Sequence, residues 1–169
     1  HARDCGAHGI KFTLDWLSQH GIAAVGTAHT EEEAHAGRIL ARRGTRFGFL
    51  AYTYDQSNGN YRDTDARVAV MDVERMRGDV GRLRARADVV VVLMHAGYEY
   101  SPRSEPRQRE FARAAIDAGA KLVVGHHPHV EQESESYGGA AILYSLGNFI
   151  FDQFQRVETQ RGLVAEAVF

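Results

Sequence analysis

Short apolar runs alternate with amphipathic stretches along this chain, in the order expected for an α/β protein. Apolar Ile10, Leu14 and Leu17 recur at helical spacing, and Gly21 is placed to end that helix. Residues 22–25 then predict a short strand, and Thr30 followed by three glutamates predicts the start of a short helix. The opening part of the chain therefore predicts two helices joined by a strand.

The middle of the chain predicts a hairpin and then a longer helix. Residues 38–54 indicate a β-hairpin that turns near Gly44, because residues 47–52 are rich in strand formers. Residues 68–71 favour another short strand. From Asp72 onward, Val73, Met76, Val80 and Leu83 form the apolar stripe of a helix.

A β-α-β unit follows, and it is the clearest pattern in the sequence. Residues 88–94 form a continuous β-branched run typical of a buried strand. Ser104 is placed to cap a helix that has Pro106 in its first turn and ends at Gly119, and residues 121–124 form the next strand. The crossover makes these strands parallel, so His95 and His126 leave them at the same edge.

The last third of the chain predicts more strands. A turn at residues 137–139 separates residues 130–136 from residues 141–145, and the tail at 162–169 alternates enough for a strand. Asn148 and Asp152 interrupt an apolar stretch as either turn residues or site residues. The whole pattern predicts one α/β domain over residues 1–169.

Three histidines fall within four positions directly after the second strand of the β-α-β unit: His126, His127 and His129. Ligand sites of α/β proteins lie at the carboxyl ends of strands, and neutral imidazole suits Mn, Fe or Zn. Taken alone, the cluster fits a metal site, an acid/base centre or a polar surface loop. Its placement beside His95 favours a metal site.

Composition excludes few classes of protein. A net charge of −2 gives no electrostatic case for nucleic acid, and the arginine runs are interpreted as solvated surface. The single cysteine, Cys5, excludes an intrachain disulfide, and no apolar run approaches the roughly 20 residues that cross a bilayer. The chain starts at His1 without an initiator Met or a signal peptide, so we expect it to be part of a longer protein.

Four ordered motifs resemble those of the CapA family, the poly-γ-glutamate capsule biosynthesis proteins of the calcineurin-like metallophosphoesterase superfamily. They are His95-Ala-Gly-Tyr-Glu-Tyr100, Pro106-Arg-Gln108, residues 116–130 with Gly125-His-His-Pro-His129, and Tyr144-Ser-Leu-Gly-Asn148 continuing to Gln153. Residues 52–54 with Asn58-Gly59 are similar to a mid-chain loop of the family, and residues 1–6 to the end of an earlier motif. Ala96 and Cys5 replace aromatic residues that are usual in the family.

The resemblance implies a metallophosphoesterase-like layered α/β/β/α sandwich, of which this chain is the C-terminal portion with a mixed sheet. It also implies a divalent metal cofactor, two ions of Mn, Fe or Zn, in the full-length parent. The family's N-terminal segment, which supplies a bridging aspartate, has no counterpart in this sequence. The residues implied to bind metal are His95, His126, His129 and His1; those implied to be catalytic are Glu99, His127 and Asp4; and those implied to bind substrate are Asn148, Asn58 and Tyr98.

Two functions are therefore expected. The first is a metal-dependent hydrolase of capsule biosynthesis, in which metal-activated water attacks a phosphoester or an amide. The second is a non-catalytic assembly or polymer-handling protein that keeps the fold. The expected partners are an acidic polymer or phosphoester substrate and a membrane-associated capsule synthesis complex, and the resemblance implies an extracytoplasmic, membrane-anchored parent.

Overall fold

A six-stranded mixed sheet organises the described part of this chain in a computed structural model, which describes residues 5–54 and 68–169. The helices are α1 (Gly6–Gln19), α2 (Glu31–His35), α3 (Val73–Arg84) and α4 (Pro106–Ala118), with a 3-10 turn at Glu158–Gln160. The strands are β1 (Arg38–Arg42), β2 (Thr45–Thr53), β3 (Val89–His95), β4 (Leu122–His126), β5 (Ser134–Tyr137) and β6 (Ala140–Leu143). The mixed α/β fold predicted from the sequence is confirmed.

The strand order is β1-β2-β3-β4-β6-β5. Strands β2, β3, β4 and β6 are parallel to one another, and β1 and β5 pair antiparallel with β2 and β6 at the two edges. The predicted hairpins at β1–β2 and β5–β6 and the predicted β3-α4-β4 unit are thus confirmed. The four central strands deliver their carboxyl ends to one edge of the sheet.

The core lies where α3 and α4 cover the β-branched strands. Met76 and Val80 of α3 and Phe111 of α4 are at most 1% exposed, as is Val92 of β3. Strand β3 is an unbroken apolar run because it lies between two strands and under helices, so alternation would leave a polar side chain buried.

A buried polar network lies in this core. Asp79 is 1% exposed and accepts hydrogen bonds at 2.7 Å from both His35 Nδ1 and Tyr52 Oη, and it also contacts Arg82. Burial, with the negative charge of Asp79, raises the pKa of Tyr52, so the phenol stays a donor. The network joins α2, β2 and α3 on the layer that supports the sheet.

Helix ends mostly follow their sequence signals. Thr30 caps α2 by accepting from Glu33 N, Asp72 caps α3 by accepting from Arg75 N, and Gly119 ends α4 with a φ of 115°. The prediction of Ser104 as the cap of α4 is wrong. Glu105 is the N-cap and forms a capping box with Gln108, while the hydroxyl of Ser104 donates to Glu133.

Three predicted strands are wrong. Residues 22–25 have no strand structure, and residues 68–71 form only isolated bridges, Val68 with Thr27 and Val70 with Thr53. The tail at 162–169 contributes a single bridge, between Gly162 and Gly147, and its side chains are exposed. An alternating pattern becomes a strand only where a neighbouring strand supplies hydrogen bonds, and these segments form no continuous ladder with the described residues.

No helix among the described residues is both long enough and apolar enough to cross a bilayer.

Candidate functional site

The candidate site lies at the carboxyl edge of the central parallel strands, where β3 and β4 end together. His95 and His126 are register partners, so both side chains lie on the same face of the sheet. Gly125 lets β4 approach the chain after β6, because a Cβ there would stand 1.9 Å from Tyr144 O. The predicted convergence of the two strand ends is confirmed.

The loops that follow these strands are tied to each other. Ala96 N donates to His126 O at 3.0 Å, and Tyr100 N donates to Pro128 O at 2.8 Å. Tyr100, His127 and His129 have positive φ angles of 63°, 102° and 60°. Residues with side chains adopt this region at a cost, and such strain is concentrated at functional sites.

The unusual backbone at position 127 turns its imidazole onto His95. Nε2 of His95 and Nδ1 of His127 are 3.2 Å apart and share a hydrogen bond, and the ring centroids are 4.8 Å apart. His127 is 7% exposed. The family resemblance implied a catalytic role for His127, and the structure brings its ring into direct contact with that of His95.

The surroundings keep these imidazoles neutral. Burial lowers the pKa of His95 to about 3, and the neighbouring His127 adds to the lowering. Burial also lowers the pKa of His127, against the opposing effect of the Glu99 charge, and desolvation lowers the pKa of His126. A metal ion binds the neutral form of imidazole, so the protein holds these side chains in the state that a ligand requires.

The spacing of the pair also fits a metal ion. Ligand nitrogens about 2.0–2.1 Å from a tetrahedral ion are separated from each other by about 3.3 Å. The 3.2 Å between Nε2 of His95 and Nδ1 of His127 is close to that separation. The donor chemistry of these residues therefore fits a divalent transition metal.

Asn148 fixes the orientation of His129. Its amide nitrogen donates to Thr159 O at 2.9 Å and to Gln153 Oε1 at 3.3 Å, so its Oδ1 faces His129. His129 Nδ1 lies 2.9 Å from that oxygen and must be the donor, which leaves Nε2 of His129 with a lone pair. A partner that fixes the tautomer of an imidazole is the usual support of a metal-binding histidine.

Aromatic rings enclose His129. Its ring centroid lies 5.1 Å from that of Phe151 and 6.3 Å from that of Tyr100, which stacks on it. The ring centroid of His127 lies 6.4 Å from that of His129. His129 therefore links the histidine pair to the segment after β6. The sequence alone could not show that this segment lies next to His129.

Two buried glutamines hold the loop after β3. Gln108 is fully buried, and its Nε2 donates to Ala96 O at 3.0 Å and to Gln132 Oε1 at 3.2 Å. Gln132 Nε2 donates to Ser101 O and Arg103 O, both at 2.9 Å. Gly97 has a φ of 110°, and a Cβ there would lie 2.8 Å from Gln108. The family-like motif at 106–108 thus supports the site loop, a role that hydrophobic periodicity could not reveal.

The remaining predicted site residues lie at the rim or outside the described residues. His126, Tyr98 and Glu99 are exposed, and Glu99 is near enough to His127 to affect its pKa. His1, Asp4 and Asn58 lie outside the described residues. Within the ranges 5–54 and 68–169, no group of three or more His, Cys, Asp or Glu side chains is arranged to hold a metal ion. The metal, catalytic and substrate roles of all these residues stay predictions.

A shallow cleft of about 270 Å³ opens beside His95. Its walls come from β2, the turn at Gly26 and the bridge at Val68, and include Tyr52 and Thr53. A substrate in this cleft would reach the histidine pair from the β2 side.

Comparison with known proteins identifies relatives of this chain. The family model for bacterial capsule synthesis protein PGA_cap matches residues 1–153. The PGA biosynthesis protein CapA of Bacillus subtilis is 37% identical over 156 residues, covering 90% of this chain and 41% of that protein. The capsule biosynthesis protein CapA of Bacillus anthracis is 33% identical over 158 residues, covering 90% of this chain and 38% of that protein.

Two more comparisons extend this set. A probable polyglutamine synthesis accessory protein of Mycobacterium tuberculosis is 27% identical, covering 90% of this chain and 43% of that protein. The crystal structure of a hypothetical protein from Thermus thermophilus matches with a TM-score of 0.51 and 16% identity, covering 74% of this chain and 44% of that chain, which supports the fold alone. This chain spans about two fifths of the length of its curated relatives. The resemblance found in the motifs is confirmed, and the chain belongs to the bacterial capsule synthesis protein PGA_cap family.

Proposed function

We propose that this chain carries part of the centre of a metal-dependent hydrolase that acts in poly-γ-glutamate capsule synthesis on a phosphoester or an amide. The observation that carries the proposal is the contact between half-buried His95 and buried His127, which meet where two strands end and whose pKa values are both lowered. The capsule and PGA biosynthesis names of the Bacillus relatives support the pathway.

His95 and His127 would supply part of the metal's ligands, with His126 and His129 beside them and the remaining ligands from outside the described residues. A bound divalent ion would supply Lewis acidity to the scissile group and lower the pKa of a water molecule. Asn148 orients His129 by accepting a hydrogen bond from its Nδ1, and the glutamine pair keeps the loop of His95 in place. Glu99, exposed and close enough for its charge to oppose the lowering of the His127 pKa, would take up a proton from the attacking water.

The surroundings of the reaction are also proposed from the relatives. A capsule lies outside the cell, so we place the longer protein in an extracytoplasmic, membrane-associated synthesis complex. Its substrate or product would be the acidic polymer itself or a phosphoester that takes part in building it.

A non-catalytic role in assembly or polymer handling is the second candidate. The word "accessory" in the name of the Mycobacterium relative favours it. In this case the same histidines would hold a structural ion or organise the loops without turnover.

Turnover assays separate the two functions. The longer protein that contains this chain is purified and tested on p-nitrophenyl phosphate and on γ-linked glutamate oligomers. Each substrate is assayed once with added Mn²⁺ or Zn²⁺ and once with a chelator instead. Hydrolysis that requires the metal and is lost in His95→Ala and His129→Ala supports the hydrolase. His20→Ala is the control, because His20 is an exposed histidine stacked on Trp16 at the end of α1. Absent turnover in the wild type would support the assembly role, whereas turnover that does not require metal would refute the metal-dependent hydrolase.

A further inference from the structure

A second cleft is lined by Tyr100, whose ring stacks on His129. It has a volume of about 360 Å³. Its walls come from the loop at residues 100–102, from residues 130–131 after the histidine cluster, and from residues 156–161. Its charged lining residues are Glu131, Arg156, Glu158 and Arg161. The cleft therefore presents two positive and two negative side chains.

These charges have no oppositely charged partner within the described part of the chain. Neither Arg156 nor Arg161 forms an ion pair among the described residues, and the same holds for the carboxylates of Glu131 and Glu158. Opposite charges that line one cleft without pairing are available to a ligand. A ligand that satisfies both signs must itself carry an anionic and a cationic group.

The backbone beneath these side chains is held firmly. Thr159 is 1% exposed, and its hydroxyl lies 2.8 Å from Gln153 O and 2.9 Å from Arg156 O. Leu163 N donates to Leu146 O at 2.8 Å, which fixes the chain next to Arg161. The cleft wall is thus anchored to the same segment that carries Asn148.

The cleft is also connected to the histidine site. The guanidinium of Arg156 lies 4.7 Å from the centre of the Tyr100 ring, and that ring stacks on His129. A carboxylate bound by Arg156 would therefore be one aromatic ring away from the candidate metal centre. This places the cleft as a subsite of the candidate site.

We propose that this cleft binds the amino-terminal residue of a γ-linked glutamate chain, an inference that rests on the proposed function for the identity of the polymer. An interior residue of such a chain carries only its α-carboxylate, whereas the amino-terminal residue carries an α-ammonium as well. Arg156 and Arg161 bind the carboxylate, and Glu131 and Glu158 bind the ammonium. The protein thereby recognises a chain end in preference to the interior of the polymer.

Binding of two synthetic oligomers tests this inference in the metal-free protein. The probes are γ-linked tetraglutamate with a free amine and the same oligomer with its amine acetylated, measured by calorimetry in the presence of chelator. We expect the free-amine oligomer to bind about threefold to tenfold more tightly. Arg156→Ala and Arg161→Ala weaken both oligomers, whereas Glu131→Gln weakens only the one with the free amine.

The control is Arg42→Ala, which removes an exposed arginine at the end of β1. Equal affinity of the wild type for the two oligomers, no binding of either, or arginine variants that bind as well as the control would each overturn the inference. Because the measurement needs neither metal nor turnover, an inactive enzyme that still prefers the free amine would refute the hydrolase and keep the subsite.

Discussion

Replacing Gly125 by alanine tests how the strand that carries His126 is placed. A Cβ at this position would stand 1.9 Å from Tyr144 O and 2.7 Å from Tyr144 C. Both atoms belong to the backbone, so no rotamer change relieves the overlap. Raising 1.9 Å to 3.0 Å, below which Cβ contacts essentially never occur, would require the segments to part by about 1.1 Å. Overpacking of buried sites costs about 1–3 kcal/mol, and we expect a loss near the upper end.

Urea unfolding of the Gly125→Ala variant measures this loss. The matched control is Gly81→Ala in α3, where an added Cβ meets no heavy atom within 4 Å. Alanine is better than glycine in a helix interior by about 1 kcal/mol, so the control should be more stable than the wild type. A loss at Gly125 smaller than about 1 kcal/mol would refute the close approach of β4 to Tyr144.

Three further changes probe the site and its support. Asn148→Ala should weaken metal binding about 10- to 100-fold, because the imidazole of His129 loses the partner that orients it. Gln160→Ala, which removes only weak surface hydrogen bonds, is the control. Equal metal affinity of the two variants would refute the orienting role of Asn148. Because the folded pKa of His95 lies below its unfolded value, near 6.5, the metal-free protein should lose up to about 1.4 kcal/mol of stability per pH unit as pH falls from about 6.5 towards 3. Urea titrations at several pH values should show a shallower slope in His95→Gln, and an unchanged slope would contradict the buried neutral state. Asp79→Ala should lower the free energy of unfolding by about 3 kcal/mol in thermal unfolding, because the buried donors of His35 and Tyr52 lose their acceptor. Glu74→Ala, at an exposed position, should cost little. Similar losses in the two variants would count against the network.

The fold was predictable where pattern and neighbours agree. Strand β3 and helix α4 combine long, strongly patterned sequences with partners next in the chain, so the β-α-β unit follows from the sequence. The strand predicted at residues 22–25 and the one predicted at 162–169 failed because strand formation depends on a free neighbouring edge, which local sequence does not encode. Ser104 and Glu105 are both able to cap α4. The hydroxyl of Ser104 donates to Glu133 instead, and Glu105 is the residue that caps the helix.

The site was predictable at the level of strand ends and not at the level of side-chain contacts. Topology alone placed His95 beside His126. The contact with His127 depends on its positive φ, and the contact between His129 and Asn148 joins segments whose relative placement needs the whole fold. The buried pair of Gln108 and Gln132 left no signal in hydrophobic periodicity, although the motif that includes Gln108 was recognisable.

Calorimetric titration of the metal-free protein with Mn²⁺ or Zn²⁺ tests most directly whether these histidines bind a metal ion. We expect the wild type to bind the ion and His95→Ala and His129→Ala each to weaken binding at least about tenfold, while His20→Ala binds as the wild type does. Histidine NMR in the same samples should show the resonances of His95, His127 and His129 shifting together. A wild type that binds no ion, or binding that survives the loss of both His95 and His129, would contradict the assignment of these histidines as metal ligands.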